Sequence, residues 1–192
     1  MTSAQTGPTA LQDLKVKQQK IWSSGDYGRI AWITVPLGRE LAEAVEVRPG
    51  SQVLDVACGT GHVALEAARR FCEVTGLDYV PALVDIARRR AAAEGLEVDF
   101  QVGDAEALPF ADDSFDFVLS AIGVMFTADH DRAGAELVRS CRPGRQDRIG
   151  KLDSGRLRRP AAQDGRQACR TAARCPAAHP MGDRSSRCRS AG

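Results

Sequence analysis

The sequence contains no run of 18 or more apolar residues, so no segment reads as a membrane-spanning helix. Its first stretch, MTSAQTGPTALQDLKVKQ, lacks a basic start followed by an apolar core. A secretory leader is therefore not expected, and a cytoplasmic location is. Cysteines occur at 58, 72, 141, 169, 175 and 188, with no Cys-x-x-Cys pair and no His at ligand spacing. That spacing excludes a zinc site of the usual kind, and free thiols are expected in a reducing compartment. From residue 145 onward there is no Val, Glu, Phe, Tyr or Trp. A segment so poor in large apolar groups cannot build a core of its own.

What remains is ordinary for a soluble domain, with 43% hydrophobic and 27% charged residues in a chain of 192. That length suits one domain with a real core and is too short for two large ones. The net charge of +1 conceals an asymmetry. Residues 1–144 hold 14 Lys+Arg against 21 Asp+Glu, and residues 145–192 hold 12 against 4, so −7 is followed by +8. The chain changes character near Gly144.

Apolar residues at 11, 14, 16 and 21 form an imperfect helical stripe, and residues 22–28 are turn-rich. A second helical pattern covers 30–46 and closes at Val47-Arg48-Pro49-Gly50. Strand and helix then alternate. Strands are expected at 52–56, 73–77, 98–102 and 115–120, and helices at 63–70, 81–94 and 131–141. Pro81 sits in a first helical turn, where its missing N–H is harmless. This rhythm predicts an α/β fold: right-handed βαβ units around a parallel sheet, with a ligand crevice at the carboxyl ends of the strands. Three segments follow from it: an N-terminal helical cap (1–46), an α/β domain (47–144) and a basic tail (145–192).

Acids stand at three of those strand ends: Asp55, Asp78 and Asp104. Singly, each could be a turn former. Together, beside the loop Asp55-Val56-Ala57-Cys58-Gly59-Thr60-Gly61, they point to a ligand site. Gly59 and Gly61 let the backbone turn tightly and approach a ligand. A carboxylate beside the loop opposes a pyrophosphate, which favours bare N–H groups and positive potential. The third glycine of a dinucleotide fingerprint is also missing, because position 64 is Ala. A cationic ligand suits the acids better, and a nicotinamide dehydrogenase is disfavoured.

The runs VLDVACGTG, VTGLDYVPALVDIAR, GDAEALPFADDSFDFVLS and RSCRPG, in this order, resemble the class I S-adenosyl-L-methionine (SAM) dependent methyltransferases. The ubiquinone/menaquinone methyltransferase-like branch is the most similar, in register from about Gln18 to Gly144. The resemblance implies a Rossmann-like three-layer sandwich, SAM as cofactor and a small-molecule methyl acceptor. It implies cofactor contacts at Asp55, Ala57, Gly59 and Gly61, at Asp78 and Tyr79, at Asp104 with Ala105, and at Ser120. Ala121 and Gly123 would follow near the methionine end and the acceptor. Trp22, Asp26 and Tyr27 resemble a segment that closes over the cofactor. His130 is a weak candidate for a general base, with a helix cap as its plainer role. His62 reads as solvated. No catalytic dyad is expected, since a sulfonium is already a strong electrophile.

The same resemblance calls for a fifth strand after Arg142-Pro143-Gly144, where the tail begins instead. Back-translating residues 145–169 and dropping the first base permits GKIGLANWTPDGFVGQLLKTVGRHV, which has the look of the missing strand and helix. A frameshift near Gly144 is therefore expected, leaving strand four as an exposed edge and the chain weakly stable with little or no activity. Two other readings are a non-catalytic remnant that binds cofactor, and a nucleic-acid-binding protein using the basic tail. The second is disfavoured, because the tail has no aromatic residue on which bases could stack.

Overall fold

A computed structural model describes residues 8–24, 27–143, 149–153 and 156–158, with side chains over 10–24 and 34–143. Two helices lead, α1 (Pro8–Ser23) and α2 (Tyr27–Ala44). They are followed by β1 (Gln52–Val56), α3 (His62–Arg69), β2 (Glu73–Asp78), α4 (Pro81–Glu94), β3 (Asp99–Val102) and β4 (Phe117–Ser120). A 3₁₀ turn (Gly123–Phe126), α5 (His130–Ser140), β5 (Ile149–Asp153) and β6 (Arg156–Arg158) complete the described chain. The α/β alternation is as expected, with boundaries shifted by one or two residues.

The sheet order is β3-β2-β1-β4-β5-β6, with only the last pair antiparallel. The chain steps outward from β1 to β2 and β3, then returns to β4 on the other side of β1. That reversal opens a crevice above the carboxyl ends of β1 and β4, where open α/β sheets take ligands.

Side-chain alternation along β1 assigns its two faces. Val53 joins a core with Ala64, Ala67, Val84, Phe100, Phe117 and Leu119, under α2, α3 and α4. Leu54 and Val56 face the other way, with Leu77, Val118, Phe115 and Leu137 beneath α5. Burial on both faces is why these central strands read as nearly continuous apolar runs. The helix α2 belongs to the first core, since Leu41 and Ala42 are fully buried there. At Gly38 an added Cβ would lie 2.8 Å from the His62 carbonyl oxygen, so α2 crosses the start of α3 at backbone contact.

One expectation is corrected. Strand four is not left as an edge, because β5 pairs with it in parallel, Val118 opposite Ile149 and Ser120 opposite Lys151. The backbone N–H and C=O groups of β4 need partners whatever side chains the partner strand carries, and the short run at 149–153 supplies them. The tail is thus not irregular throughout. Residues 145–148, 154–155 and 159–192, with Cys169, Cys175 and Cys188, lie outside the described residues. Cys58 and Cys72 are buried free thiols, and Cys141 is buried as well. Among the described residues no group of side chains could hold a metal ion, and no helix is long and apolar enough to cross a membrane.

Candidate cofactor site

A cleft of about 1000 Å³, its mouth included, opens over the carboxyl ends of β1, β2 and β4. Its floor is the turn after β1. Ala57 takes a left-handed φ of 55° and Gly59 the same value, which folds the loop back toward β2. The Cys58 N–H donates to the Leu77 carbonyl at 3.0 Å and holds the loop against that strand. Gly61 has φ 83° and precedes α3. A Cβ there would meet the Phe100 ring at 2.9 Å and Ala87 at 3.2 Å. Gly61 therefore shapes the loop from below and does not line the cleft, whereas Gly59 and Ala57 do.

Asp55 is 1% exposed, and its Oδ2 accepts the Ala64 N–H of α3 at 2.9 Å. Burial pushes its pKa up to about 8, the Ala64 bond opposes the shift, and the neighbouring Asp78 charge adds to it. This sharpens the sequence reading, in which Asp55 supplied the negative charge. Burial thus makes Asp55 hold its proton more tightly than an ordinary carboxyl, and a cation beside it would favour the ionised form.

Asp78 is 4% exposed and held from both sides. Its Oδ2 accepts the Gly59 N–H at 2.8 Å and its Oδ1 the Val80 N–H at 2.9 Å. Burial still raises its pKa above the ordinary carboxylate value, although backbone donors, Val80 first, oppose the shift. A carboxylate has about four lone-pair positions, so beyond its backbone donors Asp78 keeps acceptor capacity for a ligand hydroxyl. Tyr79 lies beside it, half-buried, its phenol pushed up to about 12 by burial and then by the Asp78 and Asp104 charges.

Asp104 uses Oδ1 for the Glu106 N–H at 2.9 Å and Oδ2 for the Lys15 ammonium at 2.6 Å. Lys15 also reaches Glu106 Oε2 at 2.5 Å. Ala105 lines the same end of the cleft. At the opposite end Gly123 passes so near Ala57 that an added Cβ would sit 2.3 Å from the Ala57 Cβ. Ala121 and Ile122 line this wall, and Trp22 from α1 meets Phe126 with ring centroids 5.0 Å apart and planes at 59°.

Several expected residues lie elsewhere. Ser120 is 1% exposed but turned away from the cleft, its Oγ accepting the Val124 N–H at 3.3 Å. Its part is to start the 3₁₀ turn. The cap of α5 is Asp129, which accepts the Arg132 N–H at 3.0 Å, and not His130. The His130 ring is exposed and lies 3.0 Å from the Met125 carbonyl, outside the cleft lining. His62 is not solvated. It is half-buried on the cleft wall between Thr60 and Arg90, and burial followed by the Arg90 and Arg69 charges lowers its pKa to about 4. Asp26 and the side chain of Tyr27 lie outside the described residues.

Four acids, Asp55, Asp78, Asp104 and Glu106, thus face one lysine across a cleft with an apolar far end. A Rossmann-like domain with this charge favours a cationic, hydroxyl-bearing cofactor over a diphosphate. The donor set fits SAM. The acceptor oxygens of Asp78 suit ribose hydroxyls, Asp104 with Ala105 suits an adenine edge, and the Asp55 end suits the cationic methionine moiety.

Comparison with known proteins agrees. Residues 53–144 match the methyltransferase domain family. An uncharacterized protein of Mycobacterium tuberculosis is 47% identical over 134 residues, covering 69% of this chain and 49% of that protein. The demethylmenaquinone methyltransferase of Thermus thermophilus is 47% identical over 103 residues, covering 53% of this chain and 46% of that enzyme. In fold, the chain is similar to a SAM-dependent methyltransferase from Aquifex aeolicus, with TM-score 0.55, 20% identity, and coverage of 62% of this chain and 69% of that one. The chain spans about half the length of the curated relatives it matches. Residues 53–144 therefore carry a methyltransferase domain, and the cofactor that the acids of its cleft suit is SAM.

Sequence reasoning missed Lys15, Gln19 and Glu106. The signal for the two α1 residues was their spacing, since residues 15, 19 and 22 share one helical face. Nothing in the chain text pairs that face with residue 106.

Proposed function

We propose that this chain transfers the methyl group of SAM to a small, largely apolar acceptor. The observation that carries the reading is the far wall of the cleft, where Trp22, Ile122 and Phe126 close an uncharged space beside the end of β4. Bound SAM supplies an activated methyl group. The chain's task is to hold it, exclude water and align a nucleophile with it. No titratable side chain is required at the acceptor wall, which is consistent with His130 lying outside the cleft and with a neutral His62. The Thermus relative, named for methylation of a demethylated menaquinone, supports an aromatic ring-bearing acceptor. The site residues proposed for the cofactor are Asp55, Ala57, Gly59, Asp78, Tyr79, Asp104 and Ala105, with Gly61 and Ser120 shaping the loops behind them.

The composition after Gly144 favours a second reading, a chain that binds SAM or S-adenosylhomocysteine without turnover. A frameshift there accounts for both the basic tail and its family-like alternative frame, and sequencing the coding DNA over codons 142–145 tests it. One assay separates the two functions. Purified chain, SAM and a panel of demethylated quinols are incubated, and products are weighed by mass spectrometry. Transfer predicts a product heavier by one CH₂ that Asp78→Asn forms more slowly at sub-saturating SAM. Binding of SAM by calorimetry with no such product from any quinol would overturn transfer to this class and leave the second reading.

A further inference from the structure

The cap helix α1 reaches the cleft through polar groups that the cofactor reading does not use. Lys15 bridges Asp104 and Glu106 at 2.6 and 2.5 Å, and Gln19 Nε2 donates to the Tyr79 carbonyl at 2.6 Å. Glu106 is the unusual member, a carboxylate 5% exposed. A buried acid of this kind needs a counter-charge and hydrogen bonds on both oxygens. Its Oε2 has Lys15, and its Oε1 accepts the Asp129 N–H at 2.9 Å. Its own carbonyl accepts Arg132 Nε at 2.7 Å. Both of those partners sit where the acceptor-wall loop enters α5. Burial alone would lower the Lys15 pKa, but hydrogen bonds and charge from Asp104 and Glu106 outweigh it and raise it.

We propose that Lys15 and Glu106 are a positioning pair that makes α1, the adenine-end acid Asp104 and the acceptor-wall loop (121–129) close as one unit. The lysine holds Asp104 Oδ2 at 2.6 Å, Asp104 lines the cleft, and the cofactor reading assigns that acid to the adenine edge. An arriving adenine amine takes that oxygen, and the ammonium stays on Glu106, its other partner. Glu106 in turn fixes Asp129, so occupation at one end of the cleft is felt at the other, where Trp22 packs on Phe126. Cofactor and acceptor wall are then coupled by one lysine and one buried carboxylate. This rests on SAM being the cofactor, and the test separates the two claims.

Amide hydrogen exchange and Trp22 quenching by acrylamide, in a Trp32→Phe background, are measured on the full chain without ligand and with S-adenosylhomocysteine. Without ligand, Lys15→Gln and Glu106→Gln should each speed exchange in both α1 and residues 121–129, about tenfold, and expose Trp22. Lys15→Arg should restore both, which a simple loss of packing would not allow. With ligand, wild type should gain protection in both segments together, and stopped-flow release from Lys15→Gln should be about tenfold faster. Unchanged exchange in residues 121–129 for Lys15→Gln, with or without ligand, would overturn the pair as a coupling device. No binding of S-adenosylhomocysteine by wild type would overturn the cofactor reading instead, while the ligand-free arm still decides whether the pair joins the two segments.

Discussion

At the residue scale, the two deepest acids of the cleft have different work. Asp78 is already paired with two backbone N–H groups and offers its remaining lone pairs outward, so its loss should affect the ligand more than the fold. Asp78→Asn keeps the shape but replaces one acceptor oxygen by a donor. Hydrogen bonds to charged groups contribute about 1.5–3 kcal/mol each, so calorimetry should show S-adenosylhomocysteine binding weakened by roughly tenfold to a hundredfold. Asp55 carries a pH signature. Its pKa is about 8 when folded against an ordinary value of 3.8, so the folded state binds the proton more tightly. Stability from this group is fully present below the unfolded pKa and is lost as pH rises from about 4 through about 8. Urea midpoints of the ligand-free chain should therefore fall between pH 5 and pH 8, and Asp55→Asn should flatten that fall. A cationic cofactor favours the ionised form, so SAM should bind more tightly at pH 8 than at pH 6. An Asp55→Asn chain with the same pH dependence as wild type would show that another group is responsible.

At the element scale, most of the sheet was legible because each strand is bounded by turn residues and each helix by a cap or a proline. Residues 52–56 and 81–94 were read at their true limits. The strand expected at 115–120 begins at Phe117, because Phe115 forms only an isolated bridge to Cys141. The 3₁₀ turn over Gly123–Phe126 was not read, since four residues carry no periodicity. The acids at the strand ends were legible, as a topology that ends parallel strands at one edge brings them together. Lys15 and Glu106 were not, because their pairing depends on how α1 lies across the sheet, and no local pattern encodes that angle. The glycines divide in the same way. Gly61 was expected at the ligand, yet its φ of 83° and the Phe100 ring beneath it make it a packing position. Gly61→Ala should cost about 1–3 kcal/mol in urea unfolding, from left-handed strain and overpacking together. A loss within a few tenths of a kcal/mol would mean the loop relaxes without strain.

At the scale of the whole molecule, the question is what the tail adds to a cofactor half that is otherwise complete. The described pairing of β5 with β4 spans only Val118 to Ser120, and β6 adds three residues beyond it. So short a ladder covers the edge of β4 with few backbone bonds, apolar burial is what stabilises a domain, and after Gly144 the sequence offers only Ile149, Leu152, Leu157 and Met181 as large aliphatic side chains. The chain is expected to melt broadly, and a variant carrying the alternative frame after Gly144 should melt more sharply and at higher temperature in calorimetric scans. Equal melting of the two chains would show that residues 149–158 already serve as an adequate edge.

The central claim is that the acids around the β1 turn select SAM over a dinucleotide. Isothermal titration of the folded chain with SAM and with NAD, at pH 7.5, tests it most directly. The account predicts one SAM bound per chain, no measurable NAD binding, and SAM binding weakened roughly tenfold to a hundredfold in Asp78→Asn. A folded chain that takes up NAD and not SAM, or an Asp78→Asn variant that binds SAM as wild type does, would contradict it.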